Sequence, residues 1–226
     1  WEFPPFVNGG LGVACYGIAK ELSKKVDLTL VIPKSTTDFK LQNLHLIGLN
    51  EQNITKSKED DQLIIQTFEA LHSIRTELDP YDQKPFIEKD DSLLQNDKKQ
   101  ISSSEKNIFS SDDLYGLTID QKVLEYTKCV LKIASRCSFD IIYAHDWMTF
   151  VAGVELKERT GKPLVLHVHS LSFDRVGVED RSWVYSIEKF AMNRADAIIP
   201  VSKYTGRVCT QHYEVDFHKI FTIHNA

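Results

Sequence analysis

Four short stretches of this 226-residue chain hold residue types suited to chemistry. The first is Asn8-Gly9-Gly10-Leu11-Gly12, directly behind Trp1-Glu2-Phe3-Pro4-Pro5-Phe6. Paired glycines ahead of a helix let a ligand approach the backbone, and the first helical turn offers unpaired N–H groups and the positive end of the dipole. That is a seat for an anion such as a phosphate. The same residues also suit a tight turn with helix-packing glycines. Neither a P-loop nor a Gly-x-Gly-x-x-Gly fingerprint is present. The second stretch is His145-Asp146-Trp147, the third is His167-Val168-His169-Ser170, and the fourth is Ser202.

These stretches must be positioned by secondary structure, and the pattern around them is strand–helix alternation. Helix is expected from Gly10 to about Lys25. Strands are expected over 26–33, 44–49, 63–68, 139–144, 164–168, 197–201 and 220–223. Helices are expected behind the capping-box signature Thr118-Ile119-Asp120-Gln121, over 148–160 with Gly161 at the C-cap, over 179–193 and over 202–212. Short, nearly unbroken apolar strands imply a parallel sheet buried on both faces. Ligands bind such sheets beyond the strand C-termini. His145-Asp146, His169-Ser170 and Ser202 all fall there. From about 51 to 113 the sequence is polar and lacks a clear period. It reads as a long solvated excursion inside a single domain of 1–226, not as a second domain.

Each candidate has a plain structural alternative. Asp146 precedes a helix and suits an N-cap, a role compatible with gripping a ligand's hydroxyls. His167 suits a hydrogen-bonded core histidine, whereas His169, at the strand end, suits a site. With period two both imidazoles share one face. No third ligand stands at a useful spacing, so no metal is expected. Asp174-Arg175 is read as lying in the loop after the His169 strand, as a local ion pair or as a polar wall of the cleft.

Composition narrows the class. The chain is 42% hydrophobic and 26% charged, with a formal charge of −5, which argues against a general nucleic-acid or anionic-membrane binder. No apolar run approaches a membrane span, and no signal-peptide pattern is read. The four cysteines lack zinc or disulfide spacing, so reduced thiols and a cytoplasmic location are expected. The chain opens on Trp1 and stops at Ala226. It reads as a piece of something longer, with a strand expected before residue 1.

Taken in order, Pro4-Pro5-Phe6, Gly9-Gly10-Leu11-Gly12, His145-Asp146-Trp147, His167-Val168-His169-Ser170, Ala195 to Ser202 and Lys219 to Ala226 resemble the N-terminal half of a retaining GT-B glycosyltransferase. The resemblance points to the group containing glycogen and starch synthases and related bacterial enzymes. It covers both ends and most of 115–226, but not the excursion. It implies an α/β fold with a Rossmann-like parallel sheet and helices on both faces. It also implies a C-terminal donor-binding domain beyond 226, a nucleotide-sugar donor (UDP- or ADP-glucose) and a carbohydrate acceptor. No cofactor is implied. Gly9, Gly10 and Leu11 match the donor-side glycine loop, while Asp146 and His169 match active-site positions. Asp174, Arg175 and Ser202 are weaker cleft candidates. Val7 stands where bacterial glycogen synthases carry Lys, which removes a phosphate-pairing ammonium. A non-catalytic sugar- or nucleotide-binding domain of the same fold is the alternative, and a GT-B-shaped epimerase is a third reading.

Overall fold

The computed structural model describes residues 1–7, 9–36, 41–52, 64, 107–110, 115, 118–177 and 182–225. Helix α1 (Gly10–Leu22) leads to strand β1 (Leu28–Ile32) and strand β2 (Leu44–Gly48). After 3-10 turns at Leu49–Glu51 and Ile108–Ser110 come α2 (Ile119–Ala134), β3 (Ile142–His145) and α3 (Trp147–Thr160). Strand β4 (Leu164–Val168), helices α4 (Ser172–Val176) and α5 (Trp183–Arg194), strand β5 (Ala197–Pro200) and helix α6 (Lys203–His212) follow. A final 3-10 turn spans Phe217–Lys219.

The strands are parallel, as their apolar content demands. Among the described residues they form two sheets, β1-β2 and β3-β4-β5, not one continuous sheet. In the first, Thr29 and His45 are exposed, so that sheet is not buried on both faces. In the second, β4 is central and four of its five residues are buried. The expected strand at 220–223 does not form in full. Ile220 makes a single parallel bridge to Ile198, and the Phe221 and Ile223 N–H groups donate to the Ile198 and Pro200 carbonyls. The expected strand at 63–68 lies outside the described residues except for Ile64, which is helical and buried. Most of the 51–113 excursion is likewise outside them. Its far end returns to the core: Phe109 is buried, and the Asn107 side chain donates to the Leu49 carbonyl at 2.6 Å.

The main core runs from Trp1, Leu49 and Phe109 through Val123 and Phe150 to Leu166, Ile187 and Val208, and a smaller cluster of Phe3, Ala19 and Ile32 lies with α1 and the first sheet. Helix α3 packs on β3, β4, α2 and α5 and is buried along most of its length. Trp147 at its start meets Trp183 edge-on, with ring centroids 5.1 Å apart. It closes at Gly161, whose left-handed backbone (φ 68°) lets its N–H reach the Lys157 carbonyl. Thr118 starts α2 as expected, but its side chain makes no cap hydrogen bond, so the capping box does not form.

Gly153 sets the approach of α3 to the sheet. A Cβ there would stand 2.9 Å from Leu164 Cδ1 and 3.1 Å from the Ala144 Cβ. Gly153→Val should therefore overpack the interface and destabilise the protein by about 1–3 kcal/mol. Chemical denaturation checks this, and an unchanged midpoint would refute the close contact.

Candidate active site

The C-terminal ends of β3 and β4 lie side by side, because His145 is the register partner of His167. The residues that follow them, Asp146 and His169-Ser170, therefore meet. Asp146 is buried, and its Oδ1 accepts the His169 backbone N–H at 2.8 Å. Its own N–H donates to the His167 carbonyl at 3.0 Å. Asp146 occupies the N-cap position of α3, yet its side chain makes no cap bond there. The expected capping role is replaced by a clamp across two strand ends. The backbone is unusual at this point, with φ 58° and ψ 167°, close to a region that only glycine adopts freely. Such a conformation costs about 1–3 kcal/mol and persists where its surroundings over-determine it. Burial pushes the Asp146 carboxyl up to about 6, against the hydrogen bond from His169 and the charge of Arg175.

His145, His167 and His169 form a stack of imidazoles. The His167 and His169 rings are 4.3 Å apart and nearly parallel, and His145 lies 4.9 Å from His167 and 5.5 Å from His169. His167 is buried, with Nδ1 2.6 Å from the Tyr143 hydroxyl. Burial pushes that phenol up to about 12, so it stays protonated beside the imidazole. Burial lowers His167 to about 3, with His169's charge adding to the effect, and lowers His169 to about 4. His145 is held well below 6.5 by burial and by its two neighbours.

The cleft beside this stack has a volume of about 480 Å³ and is lined in part by Gly10, Leu11, Asp146, His169, Ser170 and Arg175, with Glu2, Tyr115, Trp147, Met148 and Asn225 completing the wall. Four residues singled out by sequence are thereby brought together from α1 and the two strand ends, and Arg175 joins them from α4. The Asp174-Arg175 pair is helical and not in a loop. The two side chains part company. The Asp174 carboxylate accepts the Leu171 N–H at 3.1 Å. Arg175 donates to Ser170 Oγ at 2.8 Å and to Glu188 Oε1 at 3.2 Å. Glu188 is buried, accepts the Tyr213 hydroxyl and the Ser172 N–H, and is raised to about 7 by burial against those donors.

Three expected residues stand apart from the lining. Ser202 caps α6, accepting the Thr205 N–H at 3.0 Å. Asp174 caps α4. The Gly9 N–H is already engaged, donating to Glu2 Oε2 at 3.1 Å, while the Tyr115 hydroxyl donates to Glu2 Oε1 at 2.6 Å. Gly9 has extended backbone and Gly10 is helical, so neither needs glycine's left-handed freedom. A Cβ on either would meet nothing within 4 Å, whereas one on Gly12 would stand 2.9 Å from Val7 Cγ1. Gly12 thus serves packing, and the open space over Gly9 and Gly10 is available to a ligand. Sequence reading missed Glu2, Tyr115 and Cys15. The Cys15 thiol lies 3.7 Å from His145 Nδ1. Helix α1 brings it there from 130 residues away, which no local spacing announces.

The glycosyltransferase family 4 model matches residues 113–226, just over half of the chain. The chain belongs to glycosyltransferase family 4. The matched segment of this family 4 chain holds both strand ends, the Asp146 clamp and Arg175, but not the glycine stretch. A protein of Methanocaldococcus jannaschii named as an uncharacterized glycosyltransferase is 28% identical over 91 residues. That match covers 39% of this chain and 23% of the relative's length. The parallel sheets flanked by helices agree with a Rossmann-like half of a GT-B-type glycosyltransferase. No helix among the described residues is long and apolar enough to cross a membrane.

The histidine stack makes a pH prediction. In the unfolded chain these imidazoles take up protons near 6.5, but in the fold His169 resists until about 4 and His167 until about 3. Their contribution to stability is present above 6.5 and is lost as pH falls through the folded values. Imidazole nitrogen shifts recorded by NMR from pH 8 to 5.5 should show both rings neutral throughout. A midpoint above 6 for His169 would contradict the burial argument.

Proposed function

We propose that this chain is the N-terminal half of a retaining glycosyltransferase of the glycogen-synthase-like group, moving a glucosyl unit from UDP- or ADP-glucose to a glycan. The observation that carries this reading is the convergence of Gly10, Leu11, Asp146, His169 and Arg175 on one cleft at the strand ends. In this reading a C-terminal domain closes over the cleft and holds the nucleotide. The four free thiols suit the reducing cytoplasm.

The wall chemistry favours a hydroxyl-rich ligand. Two carboxylates, Glu2 and Asp146, face a single guanidinium, Arg175, among the described lining residues. Carboxylates accept hydrogen bonds from sugar hydroxyls but repel phosphates. The sugar therefore sits against Glu2, Asp146 and His169. The departing diphosphate lies toward the first turn of α1, where Gly10 leaves the backbone bare and the dipole is favourable. His169, held neutral by burial, acts as a hydrogen-bond partner to the transferred ring and not as a proton carrier. The acceptor's proton then passes to the leaving phosphate. Asp146 is a positioning residue, because its carboxylate fixes the His169 backbone.

His169→Ala in the full-length enzyme should lower the transfer rate by about 10²–10³, the scale of losing one pre-organised contact. Donor affinity should change little. His167→Ala should chiefly lower the melting temperature, since it opens a cavity beside Tyr143. Gly10→Ala should keep stability within about 1 kcal/mol, because its Cβ meets no atom, yet slow transfer by crowding the diphosphate. Rates at saturating donor and thermal melts of the three variants check this. Normal rates in both His169→Ala and Gly10→Ala would overturn the site. Sugar binding without turnover in the full-length protein would favour the non-catalytic binding domain.

A further inference from the structure

Cys15 on α1, His145 at the end of β3 and His169 after β4 turn one ligand atom each toward a common point. One ligand atom from each of the three residues lies within 4.8 Å of the other two. The sulfur is 3.7 Å from His145 Nδ1, and that nitrogen is 3.3 Å from His169 Nε2. Around a tetrahedral zinc, bond lengths near 2.3 Å to sulfur and 2.0–2.1 Å to nitrogen give ligand-to-ligand edges of about 3.6 Å (S···N) and about 3.3 Å (N···N). Two edges of the triangle match those lengths. The ligand atoms of the three residues all fall within 4.8 Å of one another.

Hydrogen bonding alone does not serve this arrangement well. His145 Nδ1 carries either one lone pair or one N–H, directed in the ring plane. It faces both the thiol and His169 Nε2 and can satisfy only one of them. A cation at the centre would take a lone pair from all three. Each residue is half-buried, so an ion can enter without unfolding the layer.

We propose that Cys15, His145 and His169 form a binding site for a zinc ion, and that filling it inhibits sugar transfer by withdrawing His169 from the cleft. Thiolate and imidazole donors select a borderline-soft d10 cation over magnesium or calcium. Uptake releases the thiol proton to solvent and forms the Zn–S bond with the sulfur pair it leaves; no electron is transferred. The ion then ties α1 to the ends of β3 and β4, with its fourth position open to water. Binding itself is independent of the proposed reaction. The inhibitory consequence rests on that reading.

The test uses the full-length protein, freed of metal with a chelator. Cobalt(II) is added as a spectroscopic substitute for zinc, and zinc is then titrated against it. A thiolate-to-cobalt charge-transfer band should grow to one equivalent and be removed by zinc. In Cys15→Ser the band should vanish, and in both Cys15→Ser and His145→Gln zinc affinity should fall at least about tenfold. Cys15→Ser should keep the metal-free transfer rate and lose the inhibition by zinc. A missing band, or one that persists in Cys15→Ser, would overturn the site. A band with full activity at saturating zinc would overturn the inhibition while the site stands. Absence of any transfer activity would count against the proposed function and leave the cobalt result as the test of the site.

Discussion

A buried carboxylate at the end of β3 fixes the backbone that leaves β4, and the cleft depends on that bond. Asp146 Oδ1 accepts the His169 N–H at 2.8 Å, from a carboxylate that is itself buried. A buried donor left without its partner costs about 1–3 kcal/mol, so the chain after β4 is confined to the path Asp146 allows. That path puts the His169 ring over His167 and toward the cleft. It also starts the turn into α4, which carries Arg175. The strain at Asp146 itself, at φ 58° and ψ 167°, is held in place by the register of the two strands.

A second buried carboxylate performs the same service one layer out. Glu188 on α5 takes the Ser172 N–H at the start of α4, the Tyr213 hydroxyl and an Arg175 N–H. Arg175 is thus oriented by Glu188 from behind and by Ser170 at the cleft edge. Opposite charges in a buried setting need further hydrogen bonds to be favourable, and Glu188 has two besides the one from Arg175, from the Ser172 N–H and the Tyr213 hydroxyl. The two carboxylates together convert a five-residue helix, too short to hold itself, into a fixed wall.

Strand–helix alternation made the parallel strands and most helix limits readable from sequence. The place of His169 just past the apolar strand β4, at the cleft wall, was legible too. Helix α4 was not legible, since five residues do not display a helical period and its stability comes from Glu188, sixteen residues beyond Ser172. Ser202 and Asp174 suit capping and ligand binding alike, because both call for the same oxygens, and in the structure both make capping contacts away from the cleft lining. Glu2 and Cys15 were invisible for a different reason. Each acts through a partner more than a hundred residues away, Tyr115 and His145 respectively. The two-sheet arrangement was also missed, because apolar strands specify parallel pairing but not which edges join.

The backbone amide of His169 offers the most direct measurement. Its proton should move upfield as pH is lowered from 8 to 5, with a midpoint near 6, as the Asp146 carboxylate that accepts it is neutralised. The His169 ring, which titrates near 4, would not interfere. In Asp146→Asn the same resonance should stay flat across that range. A flat curve in the unmodified protein, or an unchanged midpoint near 6 in Asp146→Asn, would contradict the claim that Asp146 presents His169 to the cleft.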